Sequence, residues 1–139
     1  MFVRLLSIFT IALSAEAYAN SSQEGTAAIQ SYEELAGIWA MVPLKNGIAN
    51  VVEYSADGTS TLHPFNCIEK TEEGPVKATY TLENQGKRIS VLQQGTEFDL
   101  DVTFYDKERL QTIMQISGIE LTFTYIKRQD VASLCHMFK

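Results

Sequence analysis

From Gly37 onward, the apolar residues of this chain recur at every second position in short segments broken by Gly, Asn, Asp and Pro. A period of two sends alternate side chains to opposite faces of an extended backbone, so each segment reads as a strand with one face in a core and the other in water. The clearest segment is Glu97-Phe98-Asp99-Leu100-Asp101-Val102-Thr103-Phe104, with Phe98, Leu100, Val102 and Phe104 on one face and acids or Thr on the other. Ile119, Leu121, Phe123 and Tyr125 repeat the pattern near the C-terminus, and Val76, Ala78, Tyr80 and Leu82 repeat it earlier. Helical stripes are scarce.

The alternation predicts eight strands at about 37–43, 49–55, 59–66, 76–84, 87–94, 97–105, 109–117 and 119–127. Their junctions carry turn chemistry. Lys45-Asn46-Gly47, Ala56-Asp57-Gly58 and Asn84-Gln85-Gly86 supply residues that accept positive φ, Gly95 and Gly118 break two more, and Asp106-Lys107-Glu108 is a polar turn. Links this short pair sequential neighbours. Eight strands in meander order close into an antiparallel up-and-down barrel, because closure removes the edges that invite aggregation. The fold expected is therefore an all-β, eight-stranded antiparallel barrel over residues 35–139, with a short C-terminal helix between Gln129 and Phe138. Residues 20–34 are polar and small and are expected as a flexible tail, with a helical turn at Tyr32 to Ala36.

The first nineteen residues read differently. Arg4 precedes the apolar run Leu5 to Leu13, which is too short to span a bilayer, and Ala17-Tyr18-Ala19 places small residues where a signal peptidase cuts. The expectation is a cleaved signal peptide, residues 1–19, and a periplasmic or secreted protein beginning at Asn20. No second long apolar run follows, so no membrane span is expected in the mature form. The leader carries one basic and one acidic residue, so the net charge of −6 belongs to the exported part. That charge disfavours nucleic acid and favours a basic partner. Cys67 and Cys135, an even pair in an exported chain, read as one disulfide that pins the C-terminus to the domain.

Gly37-Ile38-Trp39, following Leu35-Ala36, resembles the Gly-x-Trp opening of lipocalin and lipocalin-like domains. Tyr54-Ser55-Ala56-Asp57-Gly58-Thr59 is similar to a hairpin of the bacterial lipocalin-like domain family, a calycin-type small β-barrel. Tyr80-Thr81-Leu82-Glu83 followed by Gly86-Lys87-Arg88-Ile89 resembles the central hairpin of that family. Tyr125-Ile126-Lys127-Arg128 resembles the close of its last strand, where a basic residue packs over the tryptophan. The resemblance implies structural roles for Gly37, Trp39 and Arg128. Gly37 would let the chain turn into the first strand, and Trp39 would plug the closed end, with Arg128 on the indole face as a cation-π partner worth roughly 0.5–2 kcal/mol. The bland alternative is an ordinary core tryptophan without Arg128 nearby. The family also joins its C-terminal segment to an early part of the barrel by a disulfide, as Cys67 and Cys135 would.

The candidate chemistry is sparse. His63, Cys67, Cys135 and His136 would collect imidazoles near sulfurs, but an oxidised pair supplies no thiolate, so no metal is expected. No Ser stands in a nucleophile-elbow turn and two histidines leave little choice of base, so neither enzyme activity nor a cofactor is expected. Glu97, Asp99 and Asp101 recur along one strand face at about 7 Å, a solvated face or a dock for a basic protein. The inward positions Tyr80, Phe98, Leu100, Val102, Phe104, Met114, Leu121, Phe123 and Tyr125 are candidate ligand-binding residues. They either line a cavity for a small hydrophobic ligand oriented by a Tyr hydroxyl, or merely fill the barrel. The resemblance implies the first, a non-enzymatic carrier. The acidic face offers the other class, an inhibitor or immunity-type barrel that docks a cationic protein.

Overall fold

The computed structural model describes residues 28–139; the leader and its cleavage site lie outside the described residues. A four-residue helix α1 (Tyr32–Leu35) precedes ten strands: β1 (Gly37–Met41), β2 (Val51–Tyr54), β3 (Thr59–His63), β4 (Phe65–Asn66), β5 (Thr71–Glu72), β6 (Val76–Glu83), β7 (Arg88–Gln93), β8 (Thr96–Tyr105), β9 (Arg109–Ile116) and β10 (Ile119–Arg128). Eight of them form a closed antiparallel barrel in meander order, with β10 returning to β1, while β4 and β5 make a separate two-stranded ribbon. This architecture is consistent with a calycin- or lipocalin-type fold. No helix among the described residues is long and apolar enough to cross a membrane.

Each barrel strand lies within a few residues of its expected place. The third strand stops at His63 because Pro64 has no N–H to give to a ladder; the chain beyond it turns away into the β4–β5 ribbon. The hairpins close as their residues dictate. Asp57 Oδ1 accepts from the amide and the hydroxyl of Thr59 at 3.0 and 2.6 Å. Asp106 Oδ1 accepts from the amides of Glu108 and Arg109, both at 2.7 Å. These Asx turns fix the register of the strands they join.

One end of the barrel is sealed by the segment before β1. Within residues 28–34, the Tyr32 hydroxyl accepts from Leu82 N at 3.0 Å, while Gln30, Glu33 and Glu34 are exposed. Ile29 is buried, and its amide donates to Gly86 O at 2.8 Å. Gly86 has φ +81, and a Cβ there would run into the Ile29 carbonyl, so the position admits glycine alone. Ser31 caps α1 by accepting from Glu34 N at 3.2 Å, and the Glu34 carboxylate accepts from Gln30 N at 2.9 Å. A helix this short leaves its last carbonyls without intrahelical donors. Three barrel side chains supply them: Tyr105 OH donates to Glu34 O at 3.1 Å, Trp39 Nε1 to Leu35 O at 2.9 Å, and Lys127 Nζ to Ala36 O at 2.7 Å.

Trp39 is wholly buried at this end, with Tyr105 against it at 6.2 Å between ring centroids. The cation over the indole is Lys127, with Nζ 4.6 Å from the ring centroid, and not Arg128. Arg128 is exposed and pairs across the sheet with Ile38, one position out of phase with the inward face. Gly37 is needed for this arrangement, since at φ +135 a Cβ would meet Lys127 Cε and Nζ at 2.6 Å.

The C-terminal segment runs back over the outside of β1, β2 and β10. Leu134 is buried there against Ala40 and Val51, both fully buried although they point away from the barrel interior, with Ile38, Phe65 and Ile126 around them. The expected C-terminal helix is a single 3-10 turn, Cys135–Met137. Cys135 is bonded to Cys67, with Cα atoms 5.3 Å apart. The strap thereby joins the loop between β4 and β5.

Candidate functional site

The two halves of the barrel interior differ. Towards the sealed end, Trp39, Tyr80, Ile89, Val102, Tyr105 and Leu110 fill the lumen with Ile29 and Leu35. Towards the other end, the same inward face surrounds a cavity of about 360 Å³. This volume is at the small end of the range for small-molecule sites. The walls are mostly apolar: Met41 and Val52 from β1 and β2, Leu62 from β3, Val91 from β7, and residues of β8 to β10. At the mouth stand Leu44, Asn46 and Ile48 of the loop after β1, with Gln93 and Ile116. The rim is apolar in part, as Ile116 and Ile119 flank the Ser117-Gly118 turn and are 45% and 62% exposed.

Of the nine inward residues expected to form a ligand site, six line the cavity: Phe98, Leu100, Met114, Leu121, Phe123 and Tyr125. Tyr80 and Val102 point inward but lie in the filled half. Phe104 faces outward, a correction to the simple alternation. The pairing of β8 with β9 slips by one residue between Val102 and Phe104, a bulge that takes up Thr103 and turns Tyr105 into the core in its place. Tyr54 and Ser60, cross-strand partners that both line the cavity, were not among the residues singled out. Their signal was present in the alternation of Val52 with Tyr54 and of Ser60 with Leu62.

Four tyrosines are buried in the interior, and they divide by their partners. Tyr80 OH donates to Ser55 O at 2.6 Å, and Tyr105 OH donates to Glu34 O. The hydroxyls of Tyr54 and Tyr125 make no such bond among the described residues, and both side chains line the cavity. Burial pushes all four phenols above their usual range. At Tyr54 the neighbouring Tyr125 and Tyr80 add to the effect, and Tyr80 is pushed up to about 12 by burial and then by Tyr32. Lys127 is shifted the opposite way, held below its ordinary value by burial.

These shifts set a pH dependence. A phenol whose folded value is raised contributes stability that is complete below its unfolded value near 10 and is lost as pH rises through the folded one. Lys127 has the contrary sign, its contribution growing with pH until the unfolded chain deprotonates near 10.5. Four tyrosines outweigh one lysine. The urea midpoint of the protein is expected to be lower at pH 11 than at pH 8, and an unchanged midpoint would refute this.

Other candidate groups are dispersed. The sulfurs of Cys67 and Cys135 are consumed in the disulfide, and His63 Nε2 lies 3.6 Å from Glu53 Oε2. No group of three or more potential metal ligands occurs among the described residues. Glu97, Asp99 and Asp101 do share the outer face of β8, but Arg88 on β7 donates to Asp101 at 2.9 Å and Ser90 to Glu97 at 3.4 Å. Asp101 is thus already paired, and its attraction for a basic protein is reduced. Neither any family model nor any curated protein matches the chain.

Proposed function

We propose that this chain is an exported, non-enzymatic binding protein of lipocalin-like type, periplasmic or secreted, that holds a small hydrophobic molecule in the open half of its barrel. The observation that carries the reading is the cavity itself. An eight-stranded barrel is just wide enough for its own side chains to fill, and this one is filled only at the sealed end. Keeping a lumen of about 360 Å³ forgoes the contacts that larger residues would make. A ligand restores them. The apolar walls would drive transfer from water at roughly 25 cal/mol for each Å² of apolar surface buried.

The test is to fill the cavity from its wall. Leu121→Trp or Phe98→Trp places an indole in the open half, where there is space for it. The expected result is a loss of about tenfold or more in affinity for a neutral apolar fluorophore such as N-phenyl-1-naphthylamine, or about 1.4 kcal/mol. Thermal unfolding should stay close to that of the parent. Full affinity in both variants would rule out an interior site.

A further inference from the structure

We infer that the cavity selects a neutral ligand, and that the hydroxyls of Tyr54 and Tyr125 hold an uncharged oxygen of it, such as an alcohol, ketone or amide group, at the inner end while its apolar body extends to the mouth. This rests on the reading of the barrel as a ligand carrier and adds the chemical class. Three observations support it.

The first is the absence of charge. Among the residues around the cavity there is no Asp, Glu, Lys, Arg or His. A carboxylate or ammonium brought inside would lose its hydration with no opposite charge to meet it, which is far costlier than burying a neutral polar group that finds a hydrogen bond.

The second is the state of the phenols. Tyr54 and Tyr125 are 5% and 6% exposed, yet neither hydroxyl is partnered among the described residues, whereas Tyr80 and Tyr105 each reach a backbone carbonyl. Among the described residues, the side-chain atoms sealed away without a hydrogen-bond partner are His63 Nε2 and Thr112 Oγ1, so the two phenol oxygens are reached from the cavity and can meet a group that enters it. Both lie in one cavity wall, close enough that Tyr125 raises the pKa of Tyr54. Ser60, also buried and cross-strand from Tyr54, adds a third hydroxyl without a partner among the described residues. Each can donate to a ligand oxygen or accept from a ligand O–H.

The third is position. Tyr54 pairs with Gly37 at the start of β1 and lies 4.9 Å, centroid to centroid, from Tyr80 of the filled half, and Tyr125 pairs with Leu110 of that same half. The mouth, by contrast, is formed by Leu44, Ile48 and Ile116, which suit the apolar part of a ligand. The polar group therefore enters first. Because burial raises both phenols, they remain neutral donors through the physiological range and would repel an anion only if ionised.

The experiment is competition. N-phenyl-1-naphthylamine is bound to the folded, oxidised protein and displaced at pH 7.5 with 1-decanol or with decanoate, which share a chain length and differ in the head. Decanol is expected to displace the probe at a concentration at least about tenfold lower than decanoate. The double variant Tyr54→Phe, Tyr125→Phe keeps both rings, and the ratio of its decanol affinity to its decanoate affinity, each measured directly, is expected to fall about tenfold from the parent's through weaker binding of decanol. Equal affinities for decanol and decanoate, or an undiminished ratio in the double variant, would overturn the head-group assignment and leave the carrier reading intact. If neither the probe nor either chain bound the parent, the carrier reading itself would fall.

Discussion

Trp39→Ala is expected to destabilise the barrel by roughly 3–5 kcal/mol, with a fall in Tm on the order of 10–20 °C. The indole is fully buried, so its removal opens a cavity the surrounding strands cannot close. Two further losses come with it. Leu35 O loses its donor at a helix end that has few, and the Lys127 ammonium, half-buried, loses the ring beneath it while still bonded to Ala36 O. The measurement is urea unfolding of Trp39→Ala and Trp39→Phe side by side. Phe should recover part of the packing but neither the Leu35 hydrogen bond nor the full cation-π contact. An alanine variant with the parent's midpoint would show that the sealed end does not depend on this plug.

Removing the disulfide is expected to have a comparable effect by a different route. Cys67 and Cys135 are 68 residues apart, and closing a loop of that length restricts the unfolded chain by about 4 kcal/mol on the chain-entropy account. The double variant Cys67→Ser, Cys135→Ser should lose most of that. Cys67 N also donates to Gly47 O at 2.8 Å, and Ile48 bridges to Asn66, so the bonded segment braces the mouth loop that lines the cavity. Faster release of the naphthylamine is therefore expected along with the lower stability. Release at the parent rate would separate the strap from the mouth. Full retention of stability would show that Leu134 packing on Ala40 and Val51 suffices to hold it.

The strands and turns of this barrel were legible because both are local. Alternation states which residues share a face, and Asp57, Gly58, Asp106 and Gly118 state where the chain reverses, whatever lies across the sheet. The same rule, continued from Phe123 and Tyr125, leads to Lys127 and not Arg128. The cation over Trp39 was thus readable in the phase of the last strand, although the motif pointed one residue further. Phe104 is the opposite case. Its face depends on a bulge at Thr103, and a bulge belongs to the pairing of two strands, so no inspection of β8 alone places it. The outer burial of Ala40 and Val51 had a sequence signal in the unbroken apolar run from Ile38 to Val42, since a strand covered on both faces loses its alternation.

By itself the sequence determined that the chain makes an eight-stranded antiparallel meander, which side chains mostly face its interior, and that the cysteines form an even pair, because period, turn chemistry and composition are properties of short stretches. Only the tertiary structure decided how much of that interior is filled. Phe98, Leu100 and Val102 alternate identically along one strand, yet the first two face a cavity and the third is packed. The difference comes from Ile29, Leu35 and the Trp39 plug, which close one end from distant points of the chain and leave the hydroxyls of Tyr54 and Tyr125 facing the space that is left.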